Sequence, residues 1–196
     1  FDIIQQKFQK VREMKLNKNL LFIIIASVVG VAVIVAAYGF FGISCLLGLT
    51  NLSLMAVAGR KNVKVLKVRI AELSILNEMT LWLGLAFMTV GTFLGAVWAN
   101  ESWGRYWGWD PKETWALITV VCYAVVTHLH LFRRWNNPWL FNLSSVLAFA
   151  SVLMTFFGVN YFLSGMHSYG QSNDMQEIPM LLFGVLVVVM VLAFMS

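Results

Sequence analysis

The sequence has little charge and few groups suited to chemistry in water. Only 12% of its 196 residues are charged, whereas 60% are hydrophobic and the mean hydropathy is +0.77. A water-soluble domain of this length needs more polar surface. The two cysteines, Cys45 and Cys122, form no CxxC motif and fall inside apolar stretches, where they are predicted to be small buried side chains. The composition therefore argues against soluble, disordered and disulfide-rich proteins.

Long apolar runs are abundant instead. They recur with about 20 residues each, the length that a helix needs to cross a bilayer. The sequence therefore predicts an all-α, polytopic helical membrane protein with about five transmembrane helices and an integral domain over residues 20–196. The predicted spans are 20–47, 76–98, 114–131, 139–163 and 178–195. As an alternative, residues 20–58 cross the membrane twice.

The N-terminal segment 1–19 differs from the rest because it is basic and amphipathic. Its apolar residues are spaced as on one helical face, with five Lys and Arg residues scattered among them, which predicts a helix on the membrane surface. The chain begins with Phe1, and we expect it to be a fragment of a longer protein.

The net charge of +5 predicts orientation and does not argue for nucleic-acid binding. Segments 59–69 and 133–134 carry five and two Lys or Arg residues, whereas the loop 164–177 has none. Since cytoplasmic loops are enriched in Lys and Arg, these two segments are predicted to be cytoplasmic. The loops 98–115 and 164–177 then face outward. With a single first span, the basic segment 1–19 would lie outside too, against this rule.

The loop 98–115 holds five of the eight tryptophans. They are Trp98, Trp103, Trp107, Trp109 and Trp115, with Gly104 and Gly108 between them. Tryptophans are common at membrane interfaces, so an interfacial belt is one interpretation. Flat indoles separated by glycines are also suited to an open aromatic platform for a large planar ligand.

The sequence has three histidines, and histidine is a common ligand of haem iron. His128 and His130 lie near the end of the third predicted span, about 200° apart on a helix, so that both cannot face one site. His128 is expected about 22 Å below Glu113, whereas His167 lies in an outer loop. His128 and His167 are iron-ligand candidates, with packing or solvated histidines as the alternative, and His130 is predicted to be an interfacial polar residue.

The string from Trp103 to Trp115, WGRYWGWDPKETW, resembles the WWD signature of membrane proteins that handle haem. It is most similar to the CcsA/ResC family, the membrane subunit of system II cytochrome c synthases, and less so to the related system I proteins. The flanking strings GAVWAN and ALIT also agree. The resemblance runs from about Tyr38 to the C-terminus.

The resemblance implies haem transport outward and haem attachment to the CxxCH motif of apocytochrome c. The substrate would be haem b, the partner a CcsB/ResB-like subunit or fused half, and the location the bacterial inner membrane. His128 would hold haem within the bilayer, and His167 would hold the iron outside. The cradle would comprise Trp98, Trp103, Gly104, Tyr106, Trp107, Gly108, Trp109, Asp110 and Trp115. Asp110 is either an acid–base group or a helix cap.

One family feature is missing from the sequence. The family has a second external histidine before the WWD loop, and Gly30 lies about where it would be expected. Three alternatives to a haem-attaching subunit therefore stay open. They are a module that hands haem to a chaperone, an electron-transfer cytochrome b, and a structural subunit without haem.

Overall fold

The chain folds as a helical membrane protein, as predicted. A computed structural model describes residues 2–58 and 63–162, and these form helices joined by short turns. The helices are α1 (Asp2–Ala58), α2 (Val63–Trp103), α3 (Pro111–Thr127), α4 (Pro138–Leu153) and α5 (Val159–Phe162). A 3-10 turn, Leu129–Leu131, follows α3, and a π-helical turn, Met154–Gly158, joins α4 to α5. Four stretches of the described chain are long and apolar enough to cross a membrane; the predicted fifth span, 178–195, lies outside the described residues.

Helix α1 is continuous over 57 residues, or about 86 Å. The alternative in which residues 20–58 cross twice is therefore wrong, because the helix has no turn at which the chain could reverse. The helix predicted for residues 1–19 is continuous with the first span rather than separate from it. Its position on the membrane surface stays a prediction.

Helix α2 is longer than the predicted span 76–98, with 41 residues. The predicted basic loop 59–69 is wrong from residue 63 onward, since those residues already form the first turns of α2. At the other end, α2 continues to Trp103, so the tryptophan-rich connection to α3 is only residues 104–110. The end of the apolar run therefore does not mark the end of the helix, because the backbone hydrogen bonds of a helix do not depend on apolar side chains.

The spans pack as an up-and-down bundle in which α1 and α3 each contact both α2 and α4. Helices α1 and α2 are antiparallel: Gly30 lies against Leu94, and Ser44 hydrogen-bonds to Asn77 further along. Between α1 and α3, the rings of Phe41 and Tyr123 stack with centroids 3.7 Å apart. This arrangement brings the C-terminal ends of α2 and α4 together with the N-terminal end of α3, and likewise their opposite ends.

Close contact between α1 and α2 depends on Gly91. A Cβ atom there would lie 2.5 Å from Cγ1 of Ile34 and 3.3 Å from its backbone nitrogen. We expect Gly91→Ala to force the helices apart and to lower the free energy of unfolding, since overpacking costs about 1–3 kcal/mol. Thermal unfolding in detergent measures the effect.

The matched control is Gly95→Ala, one turn further along the same helix. A Cβ at Gly95 has no neighbour within 4 Å, so this change brings only the higher helix propensity of alanine, about 1 kcal/mol. Equal midpoint temperatures for the two variants would contradict the role of Gly91 in packing.

Candidate functional site

The end of the bundle at which α2 ends and α3 begins carries the tryptophan-rich loop. Trp98 and Trp103 lie in the last turns of α2, with ring centroids 5.0 Å apart in an edge-to-face contact. Gly104 then turns the chain with a φ of 72°, and its amide donates to the carbonyl of Asn100 at 2.8 Å. A residue in the left-handed region is a common way to end a helix, and glycine adopts it without steric cost. The helix end therefore determines where the loop begins.

Two carboxylates hold the loop in shape. An Oε atom of Glu113 accepts hydrogen bonds from the amides of Gly108, at 2.7 Å, and Asp110, at 3.3 Å. The carboxylate of Asp110 in turn accepts from the amide of Lys112, which makes Asp110 and Glu113 a capping box at the start of α3. Because Asp110 is 8% exposed and engaged in capping, the structure supports the helix-cap alternative. An acid–base role for Asp110 stays a prediction.

The aromatic side chains of the loop itself are largely uncovered. Trp109 is 71% exposed and Tyr106 is 60% exposed, and the ring of Trp107 meets that of Trp109 edge-to-face at 6.0 Å. Trp109 also has a φ of 56°, which is uncommon for a bulky residue and costs about 1–3 kcal/mol. A rigidly supported loop thus presents large apolar rings that the described chain does not bury.

The absence of a Cβ atom at Gly108 makes room for the side chain of Arg105. A Cβ on Gly108 would lie 2.6 Å from Cζ of Arg105. The guanidinium group of Arg105 therefore lies directly against the backbone of the loop, where it brings a positive charge next to the exposed aromatic rings.

The end of the fourth span contacts the first turns of α3, directly after the tryptophan-rich loop. The Oγ1 atom of Thr155 donates to the carbonyl of Trp115 at 3.2 Å, and Nζ of Lys112 donates to Oδ1 of Asn160 at 3.4 Å. His167 follows Asn160 by seven residues in the sequence, and it lies outside the described residues, as does the predicted loop 164–177. The chain therefore leaves the described region beside the tryptophan-rich loop.

His128 ends α3 at the opposite side of the bundle. It is exposed, and its Nδ1 atom lies 2.7 Å from the carbonyl oxygen of Ala124 and 3.2 Å from Oγ1 of Thr127. A carbonyl oxygen can only accept, so this contact requires a proton on Nδ1. Among the described residues, none hydrogen-bonds to Nε2. In the neutral imidazole this arrangement leaves the lone pair on Nε2, which is what ligation of a metal through Nε2 requires.

His130 lies in the 3-10 turn that follows α3, within the apolar stretch Pro111–Leu131 that matches the predicted third span. It is half exposed, and its Nδ1 atom is 3.9 Å from an Oε atom of Glu78. Both side chains line a cavity of about 140 Å³ at this end of α2 and α4. In the described structure His130 and His128 therefore contact different residues.

A buried polar cluster was missed by the sequence analysis. Three asparagines from three helices meet in it: Oδ1 of Asn142 accepts from Nδ2 of Asn51 and from Nδ2 of Asn77, both at 3.0 Å. All three are fully buried, and Ser74, Ser145 and Ser44 add further hydrogen bonds, whereas Oδ1 of Asn51 has no partner among the described residues. Asparagines inside apolar spans are the signal that could have found the cluster, since buried polar groups need partners.

Gly30 has a packing role in place of the histidine that the resemblance leads one to expect. A Cβ at this position would lie 3.3 Å from Cβ of Leu94, which is tighter than ordinary van der Waals contact. The space between α1 and α2 is therefore filled at this level, and a larger side chain would have to displace α2.

Comparison with known proteins identifies a matching family model and several similar proteins. The family model described as cytochrome C assembly protein matches residues 11–167. Protein NrfI of Wolinella succinogenes is 48% identical over 145 residues, which are 74% of this chain and 16% of NrfI. The cytochrome c biogenesis protein CcsA of Gloeobacter violaceus is 41% identical over 122 residues, 62% of this chain and 36% of that protein. CcsA of Pyropia yezoensis is 46% identical over 95 residues, 48% of this chain and 30% of that protein. The chain thus spans about a third or less of each relative.

Proposed function

The chain belongs to the cytochrome c assembly protein family, and on this premise we propose that it carries haem through the membrane and presents it to apocytochrome c. Haem handling and cytochrome c biogenesis are functions of the family. Each residue assigned below is our proposal.

The observation that carries the proposal is the supported, uncovered aromatic loop at the outer end of the bundle. A porphyrin is a flat, mostly apolar ring, and aromatic faces offer it stacking area. Exposed apolar patches on a membrane protein outside its spans indicate a binding surface. We assign haem stacking to Trp103, Trp107 and Trp109, with Tyr106 and Trp115 at the edges, and the guanidinium group of Arg105 provides a positive charge for a propionate.

Within the bilayer, we assign iron ligation to His128. Its Nδ1–H donates to a backbone carbonyl, an arrangement that fixes the tautomer and raises the basicity of the other nitrogen. A second axial ligand would come from a CcsB/ResB-like subunit or fused half, because no other described histidine shares the surroundings of His128.

Outside the bilayer, we assign iron ligation to His167, on the sequence resemblance and because Asn160, seven residues before it in the sequence, contacts Lys112 near the loop. The substrate is haem b, because its two vinyl groups are free. Each cysteine S–H of CxxCH adds across one vinyl: a C–S bond forms, the thiol hydrogen moves to the other vinyl carbon, and no external oxidant is needed. Catalysis then rests on positioning the two thiols against the two vinyls.

The orientation follows from the Lys and Arg residues. We propose that the chain lies in the bacterial inner membrane, with segments 59–69 and 133–134 on the cytoplasmic side and the aromatic loop outside. Haem would then enter near His128 and leave at the loop, which are at opposite ends of α3.

The test is the haem content of the whole protein, purified with its partner subunit from cells supplied with haem. We expect a pyridine haemochrome spectrum of b-type haem, and covalent haem on a co-expressed apocytochrome with a single CxxCH motif. Non-covalent haem without any covalent product would favour the alternative in which haem is handed to a chaperone. A colourless protein would contradict haem handling altogether.

A further inference from the structure

The surroundings of His128 contain an aromatic side chain that the family resemblance does not assign. Trp82, on α2, contacts the His128 ring with centroids 5.3 Å apart and an angle of 67° between the ring planes. This contact joins α2 to the end of α3. It comes from the side of the bundle rather than from the backbone of α3 itself.

The hydrogen bond to Ala124 does not fix every rotation of the imidazole ring. It holds Nδ1 close to a carbonyl oxygen, but the ring can still tilt about the line that joins these two atoms. His128 is the cap residue between α3 and the 3-10 turn, and the ring contact of its imidazole in the described structure is with Trp82. A contact from another helix is what can hold the plane of the imidazole.

Trp82 provides that contact, and part of its own side chain remains exposed. Its side chain is 42% exposed, so the imidazole covers only part of the indole. Leu83 and Met79, one residue after and three residues before Trp82, are 47% and 59% exposed, whereas Leu81 is fully buried. Trp82 therefore has part of its ring against the imidazole and part of it exposed.

We infer that Trp82 is a positioning residue for haem at His128: its indole holds the plane of the imidazole, so that Nε2 meets the iron in one orientation. This inference rests on the proposed role of His128. Axial-ligand geometry sets the electronic structure of haem iron, and residues that orient a metal ligand typically change metal affinity about tenfold or more when they are removed.

The experiment compares Trp82→Ala, Trp82→Phe and His128→Ala in the whole protein with its partner subunit. Haem is counted per folded protein, and the ferric EPR spectrum and the midpoint potential are recorded. For Trp82→Ala we expect about tenfold less haem at this site, and a broadened, shifted low-spin EPR signal from the haem that remains. Trp82→Phe keeps an aromatic contact and should restore both.

The control is Phe93→Ala, which removes a 70% exposed aromatic ring from the same helix and should leave haem and spectrum unchanged. If His128→Ala loses haem while Trp82→Ala keeps the wild-type content and spectrum, the inference about Trp82 is overturned and the proposed function stands. If His128→Ala itself keeps all haem, the proposed site fails. If Trp82→Ala does not accumulate in the membrane, Trp82→Leu is used in its place. A Trp82→Leu protein with an EPR spectrum identical to that of Trp82→Phe would overturn the inference.

Discussion

Replacing His128 with alanine is expected to remove haem from the membrane-embedded site. The histidine is exposed, and within the described part of the chain its side chain hydrogen-bonds to the last turn of α3, at Ala124 and Thr127. The fold should therefore tolerate the change, whereas the iron loses an axial ligand. In a His167→Ala background, which removes the proposed outer ligand, we expect at least about tenfold less b-type haem per protein, measured as the pyridine haemochrome.

The control for this prediction is His130→Ala, two residues further along the chain. His130 is also exposed at the same end of the bundle, but it faces Glu78. Its replacement should leave the haem content intact, and added imidazole should restore a low-spin spectrum to the His128 variant alone. Equal haem content in the two alanine variants would contradict iron ligation by His128.

Replacing Glu113 with alanine is expected to disable the outer loop without removing any aromatic ring. The Glu113 carboxylate holds the amides of Gly108 and Asp110, so its loss releases the loop from the start of α3. The cap contributes about 1 kcal/mol to stability, but misplacing a presented ligand by about 1 Å can lower a rate by two orders of magnitude. We expect holocytochrome c yield to fall at least about tenfold per synthase, measured by haem staining.

Glu113→Gln and Glu101→Ala are the matched controls. The glutamine keeps an amide oxygen that accepts from the loop amides, so it should retain most of the yield. Glu101 is an exposed carboxylate near the end of α2, and its replacement tests loss of negative charge without loss of the cap. A Glu113→Ala protein with wild-type yield would show that the loop needs no capping box to function.

The sequence alone was sufficient for the helical fold and for the position of the tryptophan-rich loop. Apolar runs of span length predict helices because only a helix satisfies its backbone hydrogen bonds within one segment in lipid. The Asp110–Glu113 spacing is a local signal of a helix start, and the structure has α3 begin directly after Asp110. The exact ends of the helices could not be predicted: α2 continues to Trp103, past its apolar run, because the backbone hydrogen bonds of a helix do not depend on apolar side chains.

Only the tertiary structure decided which side chains meet. Asn51, Asn77 and Asn142 are distant in sequence, and they join in one buried cluster only because α1, α2 and α4 have a particular rotation and vertical register. The contact between Trp82 and His128 depends on the same register of α2 against α3. Rotation and register follow from close packing between helices, as at Gly91, where the shape of both partners matters. Periodicity within a single span carries no information about its partner, so these contacts could not be predicted from the sequence.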